Sequence, residues 1–122
     1  IVDTMSDGYQ NIENGGTGTI STMITGWQNI SSGGTGTVST MSGGYQTING
    51  GTGIISTMVD GIQDIYSSGG TGTIDVMNSG EQNITSGAGT VIAMNSISVM
   101  VAQAQSLPCR AASRLLTVAL QA

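Results

Sequence analysis

The chain has 122 residues, enough for one domain of ordinary size, but it holds 20 glycines, no Phe, no His, no Lys, two Arg and one Pro. Only 7% of its residues are charged, against about 25% in typical soluble domains, while 38% are apolar; this excludes the charge-rich, apolar-poor kind of disordered chain, and the wealth of Ile, Val and Thr predicts β structure. The formal net charge is −5, all the acids precede residue 82, and the two arginines, Arg110 and Arg114, come near the end; such a surface cannot neutralise phosphates, which excludes nucleic acid and anionic membranes as partners.

The first residues, Val2-Asp3-Thr4-Met5, align with Ile20-Ser21-Thr22-Met23, so the chain begins inside a strand. Solenoids cap their terminal strand edges, so an uncapped start predicts that the natural protein continues upstream. No signal-peptide pattern and no apolar run long enough to span a bilayer is present, so no direct membrane insertion is expected.

The first complete unit runs Gly8-x-Gln10-x-Ile12, then Asn14-Gly15-Gly16, then Thr17-Gly18-Thr19-Ile20, then Met23. Its landmark Gln recurs at Gln28, Gln46, Gln63 and Gln82, in steps of 18, 18, 17 and 19 residues. The Ile recurs at Ile30, Ile48, Ile65 and Ile84, the second aliphatic at Val38, Ile55, Ile74 and Val91, and the Met at Met41, Met58, Met77 and Met94. The glycine pair returns at Gly33-Gly34, Gly50-Gly51 and Gly69-Gly70, and decays to Ser86-Gly87. Both Q-x-I and G-x-[IV]-x-T alternate with period two, so each reads as a short strand with one face turned inward. Gly-Gly makes one corner and Met-x-x-Gly the other.

Identical residues at identical positions favour coiling over an antiparallel meander, because like side chains then stack in ladders. The predicted fold is therefore all-β: a single-stranded parallel β-helix, or solenoid, of about five 18-residue rungs over residues 1–95. The two aliphatic columns form the core, and the Met column fills core or corner rather than serving as a binding stripe. The Gln column reads as an amide ladder, each side chain donating to the rung below and accepting from the rung above; the alternative is a row of polar ligand contacts. Tyr9, Trp27 and Tyr45 share one position of opposite parity, which predicts a stacked, exposed strip for protein or sugar contact, interrupted at Ile62 and Glu81. Thr17-Gly18-Thr19, Thr35-Gly36-Thr37 and Thr71-Gly72-Thr73 predict a flat Thr array broken at Ile54 and Ala88.

From about Ser96 the repeat fades, and residues 96–122 form a non-repeat tail. Ala111–Ala122 reads as a short helix after Pro108: either a helical cap on the last rung or a non-native, frame-shifted end. The lone Cys109 excludes an internal disulfide or a cysteine-cluster metal site.

G-G-T-G-T-I-S-T-M-x-x-G-x-Q-x-I-x-x-G-G resembles the strand-loop-strand repeat in passenger domains of AIDA-type autotransporter adhesins, over roughly residues 2–95. The resemblance implies a right-handed β-helix at the bacterial cell surface, secreted through a C-terminal outer-membrane barrel that is absent from this chain. It implies roles in cell adhesion, autoaggregation or biofilm formation, with host or sister-cell proteins or glycans, or further copies, as partners. Some members of that family are glycoproteins carrying heptose on serines near the Gly-Gly turn, which makes Ser32 and Ser68 the candidate acceptors here. Asn14 and Asn49 hold that place in other copies, and the repeat is a residue shorter than the family's usual one.

Catalysis has little to work with. Without His or Lys there is no base–nucleophile pair, and Asp60 and Asp64, the closest acids flanking a turn, have no partner charge. The expectation is a non-enzymatic segment with no cofactor. The alternative is a binding solenoid of another kind, using the Thr-x-Thr array on ice or the aromatic strip on carbohydrate.

Overall fold

The computed structural model describes residues 1–66 and 69–94, together with the backbone of residues 100–102. Its strands are β1 (Val2–Met5), β2 (Tyr9–Ile12), β3 (Thr17–Met23), β4 (Trp27–Ser31), β5 (Thr35–Met41), β6 (Tyr45–Asn49), β7 (Thr52–Met58), β8 (Ile62–Ile65), β9 (Thr71–Met77), β10 (Glu81–Ile84), β11 (Ala88–Met94) and β12 (Met100–Ala102). The odd-numbered strands form one sheet and the even-numbered strands the other, and every pairing is parallel. Parallel partners one full coil apart make a β-solenoid and rule out a meander.

Register follows the repeat residue for residue. Gln10 pairs with Gln28, Gln28 with Gln46, Gln46 with Gln63 and Gln63 with Gln82. Ile12, Ile30, Ile48, Ile65 and Ile84 form one buried column, and Ile20, Val38, Ile55, Ile74 and Val91 a second, joined by the methionines. The three central methionines, Met41, Met58 and Met77, are fully enclosed, so they are core, as predicted. Burying each aliphatic side chain contributes roughly 1.5–3 kcal/mol.

Strict alternation through G-x-[IV]-x-T carries Thr22 inward, and here the structure differs. Thr22 is half-buried while Met23 is fully buried. The register pairs Ile20 with Val38 and Thr22 with Thr40, stepping over Ser21 and Ser39. The chain bends at this residue, so two consecutive side chains face out on the convex side and the next one returns to the core.

The two corners behave differently. From Met to Gln the chain always takes five residues in the first five rungs, whereas from the inward Ile to the next strand it takes five, five, four, six and four. The Gly-Gly corner therefore absorbs the 17- and 19-residue steps, and the Met-x-x-Gly corner does not. At Gly26 and Gly44 the φ angles are +101° and +86°, and a Cβ on either would lie 2.7 Å from the carbonyl oxygen of the corner glycine one rung below, whereas a Cβ on Gly15 or Gly33 of the other corner would meet nothing within 4 Å.

Beyond Met94 the even sheet gains β12, with Met100 opposite Gln82 and Ala102 opposite Ile84. This strand lies within the segment that the fading repeat assigned to the tail. The rest of that tail, including the helix expected over 111–122, Cys109, Arg110 and Arg114, lies outside the described residues.

Candidate interaction surface

The Gln column points inward and is enclosed. Gln28, Gln46 and Gln63 are fully buried, and Gln82 nearly so. Each Nε2 donates to the Oε1 of the rung below, at 2.7 Å from Gln28 to Gln10, 2.7 Å from Gln46 to Gln28, 2.6 Å from Gln63 to Gln46 and 2.7 Å from Gln82 to Gln63. The same amides donate at 3.3–3.4 Å to the carbonyls of Gly18, Gly36, Gly53 and Gly72 on the opposite sheet. The column is thus the predicted amide ladder, and it also ties the two sheets together. The side chains of Gln28, Gln46, Gln63 and Gln82 thus face the interior and not solvent.

The repeat pattern alone assigns no role to the glycines opposite the ladder. A Cβ on Gly36 would stand 2.5 Å from Ile30 Cδ1 and 2.6 Å from Gln28 Oε1, and Gly18, Gly53, Gly72 and Gly89 meet the same two partners in their own rungs. The signal was present in T-G-x-[IV], where an inward-parity glycine recurs in every copy. Without the facing sheet, nothing in the pattern says that a Gln side chain fills the space.

Whatever the solenoid presents to other molecules lies on its outward columns. Tyr9, Trp27 and Tyr45 align in register on the even sheet, followed by Ile62 and Glu81. Tyr9 and Trp27 stack with centroids 5.1 Å apart and planes at 11°, Trp27 and Tyr45 with centroids 5.4 Å apart and planes at 8°. Tyr9 is well exposed, Trp27 half-buried and Tyr45 exposed, so the strip reaches solvent as predicted.

Two residues along each strand runs a polar column of Asn11, Asn29, Thr47, Asp64 and Asn83. Asn29 Nδ2 donates to Asn11 Oδ1 at 2.9 Å, and Asn83 Nδ2 donates to Asp64 Oδ1 at 2.9 Å. The other Asp64 oxygen accepts a long 3.4 Å contact from the Tyr66 hydroxyl. The negative charge of Asp64, then burial, then this contact push the Tyr66 phenol pKa up from its ordinary value. Asp60 faces elsewhere: its Oδ1 accepts the Gly61 N–H at the corner. The two acids therefore serve separate local contacts and do not converge on a common point. Among the described residues, no group of three or more His, Cys, Asp or Glu side chains is placed to hold a metal ion.

On the odd sheet, Thr17, Thr35, Thr52 and Thr71 lie in one outward column that ends at Ala88. Thr19, Thr37, Thr73 and Thr90 lie in the next, interrupted by Ile54.

Ser32 sits exposed at the Gly-Gly corner with φ +50°, the same left-handed position that Asn14 holds at φ +52°. Asn49 does not share it. Asn49 pairs with Ser31 at the end of its strand, and Gly50 takes the turn position, its carbonyl accepting from Gly33 N–H as the Ser32 carbonyl accepts from Gly15 N–H. The one-residue-shorter corner of that rung shifts the alignment. Ser68, the other candidate acceptor, lies outside the described residues.

Comparison of the chain with protein-family models, with curated proteins and with solved structures finds no match.

Proposed function

We propose that this chain is a structural and adhesive repeat segment of a secreted bacterial surface protein, of the autotransporter-passenger kind that its repeat resembles. Its partners are proteins or glycans of host or sister cells, or further copies of itself, and its work is adhesion, autoaggregation or biofilm formation. The observation that carries this reading is the outward repetition: aromatic, Asn and Thr positions each form an in-register column across successive rungs. A surface of repeated weak contacts grows with the number of rungs, and multivalent display converts weak contacts into firm attachment. In this reading Ser32 and Ser68 are glycan acceptors, and no rung is catalytic.

The test is display of the repeat on a non-adherent bacterial host. Clumping or surface attachment is expected with the repeats and is expected to weaken when they are deleted. Clumping that is unchanged by deletion would make the segment a spacer.

A second reading has its own observation, the paired Thr columns of the odd sheet, which form a regular hydroxyl array of the sort that could order water on ice. Thermal hysteresis with faceted ice crystals would support it. Freezing indistinguishable from that in an equal concentration of an unrelated protein would remove it.

A further inference from the structure

Tyr9, Trp27 and Tyr45 do more than share a column. Their rings lie nearly parallel, at 11° and 8°, with centroids 5.1 and 5.4 Å apart, so the indole of Trp27 is in stacking contact with a phenol on each side. The stack is bounded above, because Ile62 follows Tyr45 in register and carries no ring. The fourth aromatic residue, Tyr66, stands apart: it lies two rungs above Trp27 and four residues further along the strand direction, a displacement of about 13 Å along that direction alone.

Indole and phenol both give up an electron to a strong one-electron oxidant, and electron transfer between them falls steeply with separation. Rings in contact exchange an electron with no intervening medium. The direction of transfer at neutral pH follows from the proton. A phenol that loses an electron also loses its O–H proton, and the neutral phenoxyl radical so formed is a weaker oxidant than the indolyl radical. That proton needs an acceptor. Tyr9 is 67% exposed and Tyr45 37%, whereas Trp27 between them is half-buried, so water meets the phenols on both sides of the indole.

From this geometry we infer that the Tyr9–Trp27–Tyr45 stack is a one-electron relay, in which an oxidising equivalent taken up at Trp27 passes to the phenol of Tyr9 or Tyr45. A one-electron oxidant removes an electron from Trp27, and the indole N–H releases its proton to water, leaving the neutral indolyl radical. Tyr9 or Tyr45 then gives that radical an electron and releases its O–H proton to water, while the indole nitrogen takes a proton back from water. Trp27 is restored, the oxidant is reduced by one electron, and one phenoxyl radical remains on the solvent-facing strip. The relay needs only the ring geometry and stands whether or not this surface adheres to another cell.

Pulse radiolysis of the full chain in azide solution tests the relay, with the azide radical as the one-electron oxidant. The indolyl absorption is expected to decay as the phenoxyl absorption rises, at a single first-order rate that does not change with protein concentration. Tyr9→Phe combined with Tyr45→Phe keeps the three rings but removes both phenols, and the fast conversion is expected to be lost although Tyr66 remains. Tyr66→Phe is expected to leave the conversion unchanged. A conversion equally fast in the double variant, or lost in Tyr66→Phe, would overturn the relay. Circular dichroism checks that the double variant keeps its strands; if it does not, the unaltered chain decides. A conversion rate proportional to protein concentration means that radicals pass between molecules, and it rejects the proposal, as does an indolyl radical that decays with no phenoxyl product.

Discussion

The Gln46 side chain donates its amide to Gln28 Oε1 across the rung boundary at 2.7 Å, with both residues fully buried. One amide side chain thereby satisfies an acceptor below, a donor above and a carbonyl on the facing sheet. A buried amide in an apolar core is tolerable only on those terms.

Breaking that chain should be expensive. Gln46→Leu strips the partner from Gln28 Oε1 and leaves Gln63 Nε2 only its 3.4 Å contact to the Gly53 carbonyl, so a loss of about 1–3 kcal/mol is expected. Urea unfolding of the two chains measures it. A loss under about 0.5 kcal/mol would mean the ladder adds nothing to stability.

Gly36→Ala tests the other half of the same contact. The added methyl lands on Ile30 Cδ1 and Gln28 Oε1, and Gln28 is held by its own ladder bonds, so neither neighbour moves cheaply. Overpacking of this kind costs typically about 1–3 kcal/mol. Thr37→Ala, the next residue and outward-facing, should stay within about 0.5 kcal/mol. Equal melting temperatures for the two variants would show that the sheets are not in contact at Gly36.

The central Ile column admits a blunter probe. Ile48→Asp places a carboxylate in a fully enclosed apolar site and should cost several kcal/mol, at least about 3. Ser31→Asp, half-buried at the outward end of β4, should be nearly silent. Thermal unfolding followed by circular dichroism separates them, and equal effects would reverse the assignment of the inward face.

The ladder stops at its upper end. Gln82 Oε1 is buried and has no partner among the described residues, and the register places Met100 where the next Gln would stand. Met100→Gln should therefore raise stability by about 0.5–1.5 kcal/mol, the net contribution of one hydrogen bond. A denaturation midpoint that is unchanged or lower would show that position 100 does not extend the ladder.

Tyr66 offers a pH test. Its raised pKa means that the fold favours the neutral phenol, chiefly because Asp64 repels the phenolate. Above the ordinary phenol range the unfolded chain loses this proton first, so stability falls as pH climbs towards the folded value. The effect is small, since the ring is largely exposed and water screens the charge. Asp64→Asn should move the Tyr66 midpoint down towards its ordinary value in a phenolate-absorbance titration, and an unmoved midpoint would rule out Asp64 as the cause.

Much of this is legible in the amino-acid sequence, because each rung pairs with its own copy. Where position n meets position n + 18, a match between Ile30 and Ile48 in the sequence is already a statement about contact in space. That is why the parallel coil, the aliphatic columns, the enclosed methionines and the amide ladder could all be derived from spacing. The exposed aromatic strip followed from parity alone.

Other features depended on what faces what across the coil, which no repeat encodes. The inward glycines of T-G-x-[IV] are explained only once Gln28 Oε1 is seen against Gly36. The bend at Ser21 and Ser39, which sends Met23 rather than Thr22 into the core, interrupts the period-two alternation on which parity rests. Asn49 looked equivalent to Ser32 because both precede a glycine pair, yet a corner one residue shorter gives that turn to Gly50.

The amino-acid sequence by itself determined the period, the inward columns and the coiled parallel arrangement, since stacking identical side chains is the cheapest way to bury a repeated apolar position. Only the tertiary structure decided how closely the two sheets approach, where the strands bend and which way the aromatic rings turn. Those depend on packing between residues six or more apart in the chain, where shape and hydrogen-bond geometry select among arrangements that the linear pattern leaves equal.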